Sequence, residues 1–149
     1  VSTAKLERKL WGVVLRVPER ANPLKERRNM STRACYSFSD EHGKSHVYYH
    51  YDGYPANALK LINEAKKYAW ELPRFEADEF GAAFVVAAKG NTAGGARLSK
   101  GPSNHLDIDY KYDISFDKDL NIKIWSVDFH NSKLLDEGTL KQLWKKYIK

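Results

Sequence analysis

Hydrophobic and polar residues alternate most regularly between positions 106 and 116. Every second residue is apolar: Leu106, Ile108, Tyr110, Tyr112, Ile114 and Phe116. Because successive side chains of a strand point to opposite faces, this alternation predicts an antiparallel strand with one buried face. Lys118 and Asp119 are predicted to turn the chain, and residues 120–129 to form the partner strand. This part of the chain is therefore predicted to be a β-hairpin.

A second hairpin is predicted for residues 33–51. Two aromatic, β-prone runs (33–38 and 46–51) flank a turn-forming stretch at 40–44. On the return strand the alternation predicts one shared face for His46, Tyr48, His50 and Asp52. An Asp-Gly turn and Pro55 then start the next element.

Three segments have the apolar spacing of amphipathic helices. They are residues 56–71, 76–89 and 136–148, and Pro73 and Gly90 end the first two. Helices and hairpins are segregated along the chain, which is typical of the α+β class. We predict an antiparallel sheet of about four strands, made of two β-hairpins, with helices packed on one face.

The N-terminal part is strongly basic. The net charge is +6, and residues 1–29 carry +5 of it. Residues 3–15 are predicted to form an amphipathic helix, with a strand over 11–17 as the alternative, and residues 18–29 a connector. We therefore divide the chain into a basic arm, 1–29, and a single α+β domain, 30–149. The sequence leaves open whether the arm belongs to the native product, since Met30 is the sole methionine.

The stretch 90–105 is rich in glycine and is predicted to be a loop. It has four glycines, one proline, and the cations Arg97 and Lys100. A loop of this length inside a domain is usually functional or mobile. No Gly-Lys-Ser/Thr follows and no strand–loop–helix context exists, which excludes a phosphate-binding P-loop. We interpret the stretch as a partner-binding loop.

Several classes of protein are excluded or disfavoured by composition. Cys35 is the single cysteine, so no disulfide can form within the chain. No apolar run approaches the roughly 20 residues of a membrane span, and no signal-peptide pattern is present. His46 and His50 would lie about 13 Å apart along a strand, too far to share a metal ion. We expect a cytoplasmic protein with no membrane partner, metal or cofactor.

Three short blocks resemble a family of small, uncharacterised bacteriophage proteins. The blocks are Met30–Arg33, His50–Pro55 and Asp107–Tyr112. The family begins with Met-Ser-Thr-Arg, ends its first hairpin with His-Trp-Asp-Gly-Tyr-Pro, and has a later Asp-Ile-Glu-Tyr-X-Tyr strand. This chain departs from it at Tyr51, where the family has Trp, and at Asp109, where it has Glu. The resemblance implies phage origin, and therefore the host cytoplasm, more than any activity.

The residue types most suited to catalysis lie at the end of the first hairpin. A carboxylate beside a histidine can hold its tautomer and raise its basicity, so Asp52 could orient His50 as a general base. The ligand of such an enzyme would carry phosphate, held by Arg33 and Arg97. The structural alternative is that Asp52 and the residues after it only turn the chain. The acidic residues Asp107, Asp109, Asp113 and Asp117 could mimic nucleic-acid phosphates toward a basic host protein, and the alternative is a solvated sheet face.

We predict a phage accessory protein that binds and modulates a component of the host or of its defence systems, without catalysis. The candidate binding residues are Arg33, His50, Asp52, Tyr54, Arg97, Lys100 and His105. The alternative is a small enzyme or a nucleotide- or nucleic-acid-binding protein using His50, Asp52 and the 90–104 loop. For nucleic acid the candidate residues lie in the basic arm: Arg8, Lys9, Arg27 and Arg28.

Overall fold

The strands form one mixed sheet. The computed structural model describes residues 32–90, 92–129 and 131–149. Within these ranges the strands are β1 (Ala34–Asp40), β2 (Gly43–Tyr49), β3 (Ala96–Ser99), β4 (Tyr110–Phe116), β5 (Leu120–Asp128) and β6 (Asn131–Thr139). Their order across the sheet is β3-β2-β1-β4-β5-β6. The β1–β4 pair is parallel and the other pairs are antiparallel.

The helices pack with the sheet in a common core. Among the described residues they are α1 (Pro55–Ala65), α2 (Ala77–Lys89) and α3 (Leu140–Tyr147). Apolar side chains of all three belong to the same buried cluster as one face of the sheet. The α+β class is therefore confirmed, but the sheet differs from the predicted one of about four antiparallel strands: in the described part of the chain six strands form a mixed sheet. No helix in the described ranges is long and apolar enough to cross a membrane.

Aromatic rings fill the core where β1 and β4 run side by side. The Tyr36 ring lies 4.3 Å from that of Phe84 and stacks at 5.0 Å on that of Tyr112, between centroids. The Tyr112 hydroxyl donates a hydrogen bond to the carbonyl of Gly53. Burial raises the pKa of both tyrosines above the ordinary value. The stacked rings of Tyr36 and Tyr112 thus stabilise the parallel pairing of the two central strands.

Two strands lie where other structure was predicted. Strand β3 falls inside the predicted loop, because its four residues complete the sheet by pairing with β2. Strand β6 takes residues 131–139, so the last helix begins at Leu140 instead of residue 136. Pairing with β5 supplies the backbone hydrogen bonds of this largely exposed strand.

Two predicted elements are longer than the observed ones. The helix predicted for 56–71 ends at Ala65 and continues as hydrogen-bonded turns to Tyr68. The strand predicted from residue 106 begins at Tyr110. Ile108, predicted to lie on the same face as Tyr110, instead packs on the opposite side of the sheet with Cys35 and Tyr48.

The second face of the sheet is crossed by the chain between β3 and β4. This crossover segment, residues 100–109, includes a short 3₁₀-helix at Pro102–Asn104. It runs from the β3 edge past β2 and β1 to reach β4. Its Ile108 covers Cys35, which is fully buried. We call the face under this segment the open face. The predicted helix 3–15, connector and basic arm lie outside the described residues.

Candidate functional site

Tyr48 is the centre of a polar network on the open face. Strand pairing sets Tyr48 between Cys35 of β1 and Arg97 of β3. The crossover segment lays the His105 ring on that of Tyr48, with centroids 4.5 Å apart and planes 24° from parallel. The Arg97 guanidinium carbon lies 5.9 Å from the Tyr48 ring centroid, within reach of a cation–π contact. Three separate segments therefore meet at one tyrosine.

His50 is held by a guanidinium group. The Nε of Arg33 donates a hydrogen bond to His50 Nδ1 over 3.1 Å, and the Tyr48 hydroxyl lies 3.2 Å from the same nitrogen. Burial and the positive charge of Arg33 lower the pKa of His50, and the nearby Asp107 offsets this only in part. His50 is thus favoured in its neutral form, with its Nδ1 lone pair already engaged.

Asp107 is the carboxylate of the network. The Tyr48 hydroxyl donates to Asp107 Oδ2 over 3.0 Å, and Arg33 Nε lies 3.3 Å from the same oxygen. Burial and the bond to Asp107 raise the pKa of Tyr48 to about 12. Asp107 keeps half of its side-chain surface exposed. Imidazole, guanidinium, phenol and carboxylate therefore form one connected cluster that reaches solvent.

The predicted pairing of His50 with Asp52 is not formed. Strand β2 ends at Tyr49, and Asp52 has a φ of +48°, so the alternation that placed both side chains on one face stops before Asp52. The charge of Asp52 instead acts on Tyr49 and Tyr36, both in the helix-covered core. Burial alone raises the pKa of Asp52. Its carboxylate makes no hydrogen bond with any described residue.

The candidate residues divide into two groups. Arg33, His50, Arg97 and His105 converge around Tyr48, whereas Asp52, Tyr54 and Lys100 do not join the network. Tyr54 is the residue before α1 and is 40% exposed, and Lys100 is exposed at the start of the crossover segment. The alternative nucleic-acid residues Arg8, Lys9, Arg27 and Arg28 lie outside the described ranges.

Two serine–histidine contacts on the open face were not predicted. The Ser99 hydroxyl lies 2.7 Å from His105 Nε2, and the Ser37 hydroxyl 2.7 Å from His46 Nδ1. Ser99 also accepts from the Gly101 amide, which fixes the entry to the crossover segment. The Ser37 contact follows from strand register, which the sequence does not reveal. The Ser99 contact depends on β3, which was predicted as loop.

The buried Cys35 is unsuited to nucleophilic chemistry. Burial is the largest influence on its thiol and raises the pKa to about 11, whereas a nucleophilic cysteine needs a lowered pKa. Among the described residues, histidine, cysteine, aspartate and glutamate side chains nowhere cluster in threes as a metal site would require. The chemistry offered by the open face is therefore that of hydrogen bonding and charge.

Beside the network lies an exposed sheet edge. Strand β3 forms one edge of the described sheet, and its Leu98 side chain is 86% exposed. Leu106 in the crossover segment is 60% exposed. Arg97 is also exposed and pairs with Tyr48, so its side chain lies on the open face, whereas that of Leu98, paired with Val47, lies on the other face. The β3 edge thus offers strand backbone, with an apolar side chain on one face of the sheet and a positive charge on the other.

No family model, curated protein or solved structure matches this chain. The resemblance to phage proteins therefore rests on the three sequence blocks.

Proposed function

We propose that this protein is a non-catalytic binder that docks a partner protein along the β3 edge of its sheet. The observation that carries the proposal is Leu98, a large apolar side chain almost fully exposed on an edge strand. The partner is expected to be a component of the host cell or of its defence against phage, as the sequence resemblance implies.

An edge strand invites pairing with another chain. Its outward N–H and C=O groups are free to continue the ladder, and proteins usually protect such edges with bulges or charge. The far edge, β6, has both: a register shift opposite Ile124 and Trp125, and the charged residues Asp136 and Glu137. Strand β3 pairs with β2 without a bulge, and Arg97 is the one charged residue among its four. An extended segment of a partner would add there by β-augmentation.

The polar network supplies specificity next to this edge. Arg97 and His105 flank Tyr48, and Arg33 is held in place by Asp107 and His50. Arg97 makes no ion pair with any described residue, so its charge is available for an acidic or hydrogen-bonding group of the partner. Preorganised side chains lower the entropic cost of binding.

The geometry favours binding over catalysis. A general base needs a free lone pair facing its substrate, yet His50 Nδ1 already accepts from Arg33. The carboxylate proposed to orient it, Asp52, makes no hydrogen bond with His50 and acts instead on Tyr36 and Tyr49. The enzyme alternative would therefore need His50 to break its bond with Arg33 before acting.

Affinity capture with matched variants tests the proposal. The tagged protein is incubated with lysate of a bacterial host, with and without its defence systems, and stoichiometric partners are identified by mass spectrometry. Leu98→Glu should abolish capture, since it places a charge on the docking edge. Leu135→Glu is the control, because Leu135 is 46% exposed on the opposite edge strand, β6.

His50→Ala separates the two hypotheses. A binder should retain its partner in this variant, with at most a modest loss of affinity. The proposal is wrong if Leu98→Glu and Leu135→Glu capture the partner equally well. It is also wrong if His50→Ala, correctly folded by circular dichroism, removes an enzymatic turnover that the parent protein has.

A further inference from the structure

A cleft opens on the helix-covered side of the molecule, away from the β3 edge. It lies between the residues after α1, the start of α3 and the β4–β5 turn, and has a volume of about 690 Å³. Pockets for small organic molecules have volumes of about 300–1,000 Å³. The size of the cleft therefore suits a small molecule.

The floor of the cleft is apolar. Leu72, Phe116 and Trp144 line it and are partly buried against the main core. Because these side chains are anchored in the core, the floor is preformed. It offers a surface to an aliphatic or aromatic body.

The rim of the cleft is basic. Lys66, Lys118, Lys141 and Lys145 line it and are exposed, and Asp119 is the one acidic residue there. None of the four lysines forms an ion pair within the described part of the chain. The rim thus keeps a net positive charge, since Asp119 offsets only one of the four lysines and none of them is ion-paired with a described carboxylate.

Two lysines that are adjacent in sequence to rim lysines do form ion pairs. Lys67, next to Lys66, lies 3.0 Å from a carboxylate oxygen of Glu64. The Nζ of Lys146, next to Lys145, lies 2.7 Å from Oδ2 of Asp136. Lys67 and Lys146 are therefore ion-paired, whereas Lys66 and Lys145, their neighbours in sequence that line the cleft, are not.

Lys141 is placed against the preference of its own helix. It lies in the first turn of α3, where the helix dipole is positive and acidic residues are favoured. That turn contains no acidic residue. An anion in the cleft would relieve the repulsion between Lys141 and the helix terminus.

We propose that this cleft binds a small amphipathic anion, with an aliphatic or aromatic body on the floor and a carboxylate or phosphate group among the lysines. The charge of the rim selects the sign of the ligand, and the floor selects its apolar part. The N-terminal arm is disfavoured as an occupant because residues 1–29 carry a net charge of +5, the same sign as the rim.

Titration with a matched pair of amphiphiles tests the sign of the ligand. Decanoate and decylamine have the same chain and opposite charge, and both are used below their micelle concentrations. Isothermal calorimetry should show saturable binding of decanoate at one site and at least tenfold weaker binding of decylamine. Decyl phosphate against decanoate then distinguishes the two head groups.

Charge-reversal variants test the location. Lys141→Glu/Lys145→Glu should weaken decanoate binding about tenfold or more, since it reverses two of the four rim charges. Lys44→Glu/Lys123→Glu, with both lysines on the open face, is the matched control and should bind as the parent does. Leu98→Glu should also retain decanoate, so failure of the docking edge and failure of the cleft are distinguishable.

The proposal is overturned if decylamine binds as tightly as decanoate, or if the two double variants are indistinguishable. It is equally overturned if decanoate fails to bind while an acidic peptide is retained by the parent and lost in Lys141→Glu/Lys145→Glu. That last outcome would make the cleft a protein-docking surface. Circular dichroism of each variant ensures that a loss of binding is not a loss of fold.

Discussion

Gly53 explains much of the unusual stretch from His50 to Pro55. Its amide donates to the Thr32 carbonyl over 2.8 Å, and its own carbonyl accepts from Tyr112. A Cβ at this position would lie 2.8 Å from the Cβ of Ala34 and 3.0 Å from the Thr32 carbonyl oxygen. The Asp-Gly dipeptide therefore allows the end of the hairpin to pack directly on β1.

Gly53→Ala should destabilise the fold by about 1–3 kcal/mol, because backbone and a short side chain would have to move apart. Gly81→Ala is the control: its Cβ would meet Phe38 at an ordinary 3.5 Å, and alanine favours a helix by about 1 kcal/mol. Urea unfolding of both variants measures the difference. Equal stability of the two variants would show that the contact at Gly53 is not tight.

At the residue scale, the sequence predicted which residues lie at the site better than it predicted which residues they contact. Four candidates, Arg33, His50, Arg97 and His105, do converge. The partner assigned to His50 was wrong because alternation was extended past the end of the strand, to a residue with positive φ. The carboxylate in the His50 network is that of Asp107, which is 57 residues away in sequence. Its place depends on the path of the crossover segment, which a local sequence pattern does not show.

At the element scale, strong periodicity predicted structure well and weak periodicity did not. Helix α2 and strand β5 lie close to their predicted bounds, because their apolar residues repeat along a single buried face. Strand β6 has no such repeat: most of its residues are exposed. Strand β3 has four residues between glycine-rich stretches, too few for an alternation to be recognised. Edge strands are defined by their neighbours, which a local pattern does not show.

Helix α3 begins at a capping box that its sequence contains. The Thr139 hydroxyl accepts from the Gln142 amide over 3.2 Å, and the Gln142 side chain accepts from the Thr139 amide over 3.0 Å. Thr139→Ala should cost about 0.5–2 kcal/mol of stability, whereas Thr139→Ser should cost little because serine keeps the cap. Thermal unfolding by circular dichroism compares the two. The cap is unimportant if the alanine and serine variants unfold together.

At the scale of the whole molecule, the unpredicted feature is the parallel pairing of β1 and β4. Each predicted hairpin forms its own strand pair, and no local sequence pattern indicates how the two hairpins join in one sheet. The chain joins them by carrying residues 100–109 across the open face, which also buries Cys35. One long-range connection therefore determines both the mixed sheet and the site.

This arrangement places three histidines with depressed pKa on the open face. Burial is the largest cause for His46, His50 and His105 alike, and cations add to it: Lys44 for His46, and Arg33 or Arg97 for the others. Asp113 and Asp107 oppose the shift only in part. Each imidazole is therefore harder to protonate in the folded state than in the unfolded chain, where its pKa is about 6.5.

Stability should consequently fall as the pH drops from about 7 through 6.5 towards the folded-state pKa values, because the unfolded chain binds more protons in that window. Asp40 and Asp136 have lowered pKa values, so their contribution is lost only below about pH 4. Urea unfolding between pH 7.5 and 5.5 should show the decline, and His46→Gln/His50→Gln/His105→Gln should flatten it. His42→Gln, in the exposed β1–β2 turn, is the control. An unchanged slope in the triple variant would show that the open face does not govern acid sensitivity.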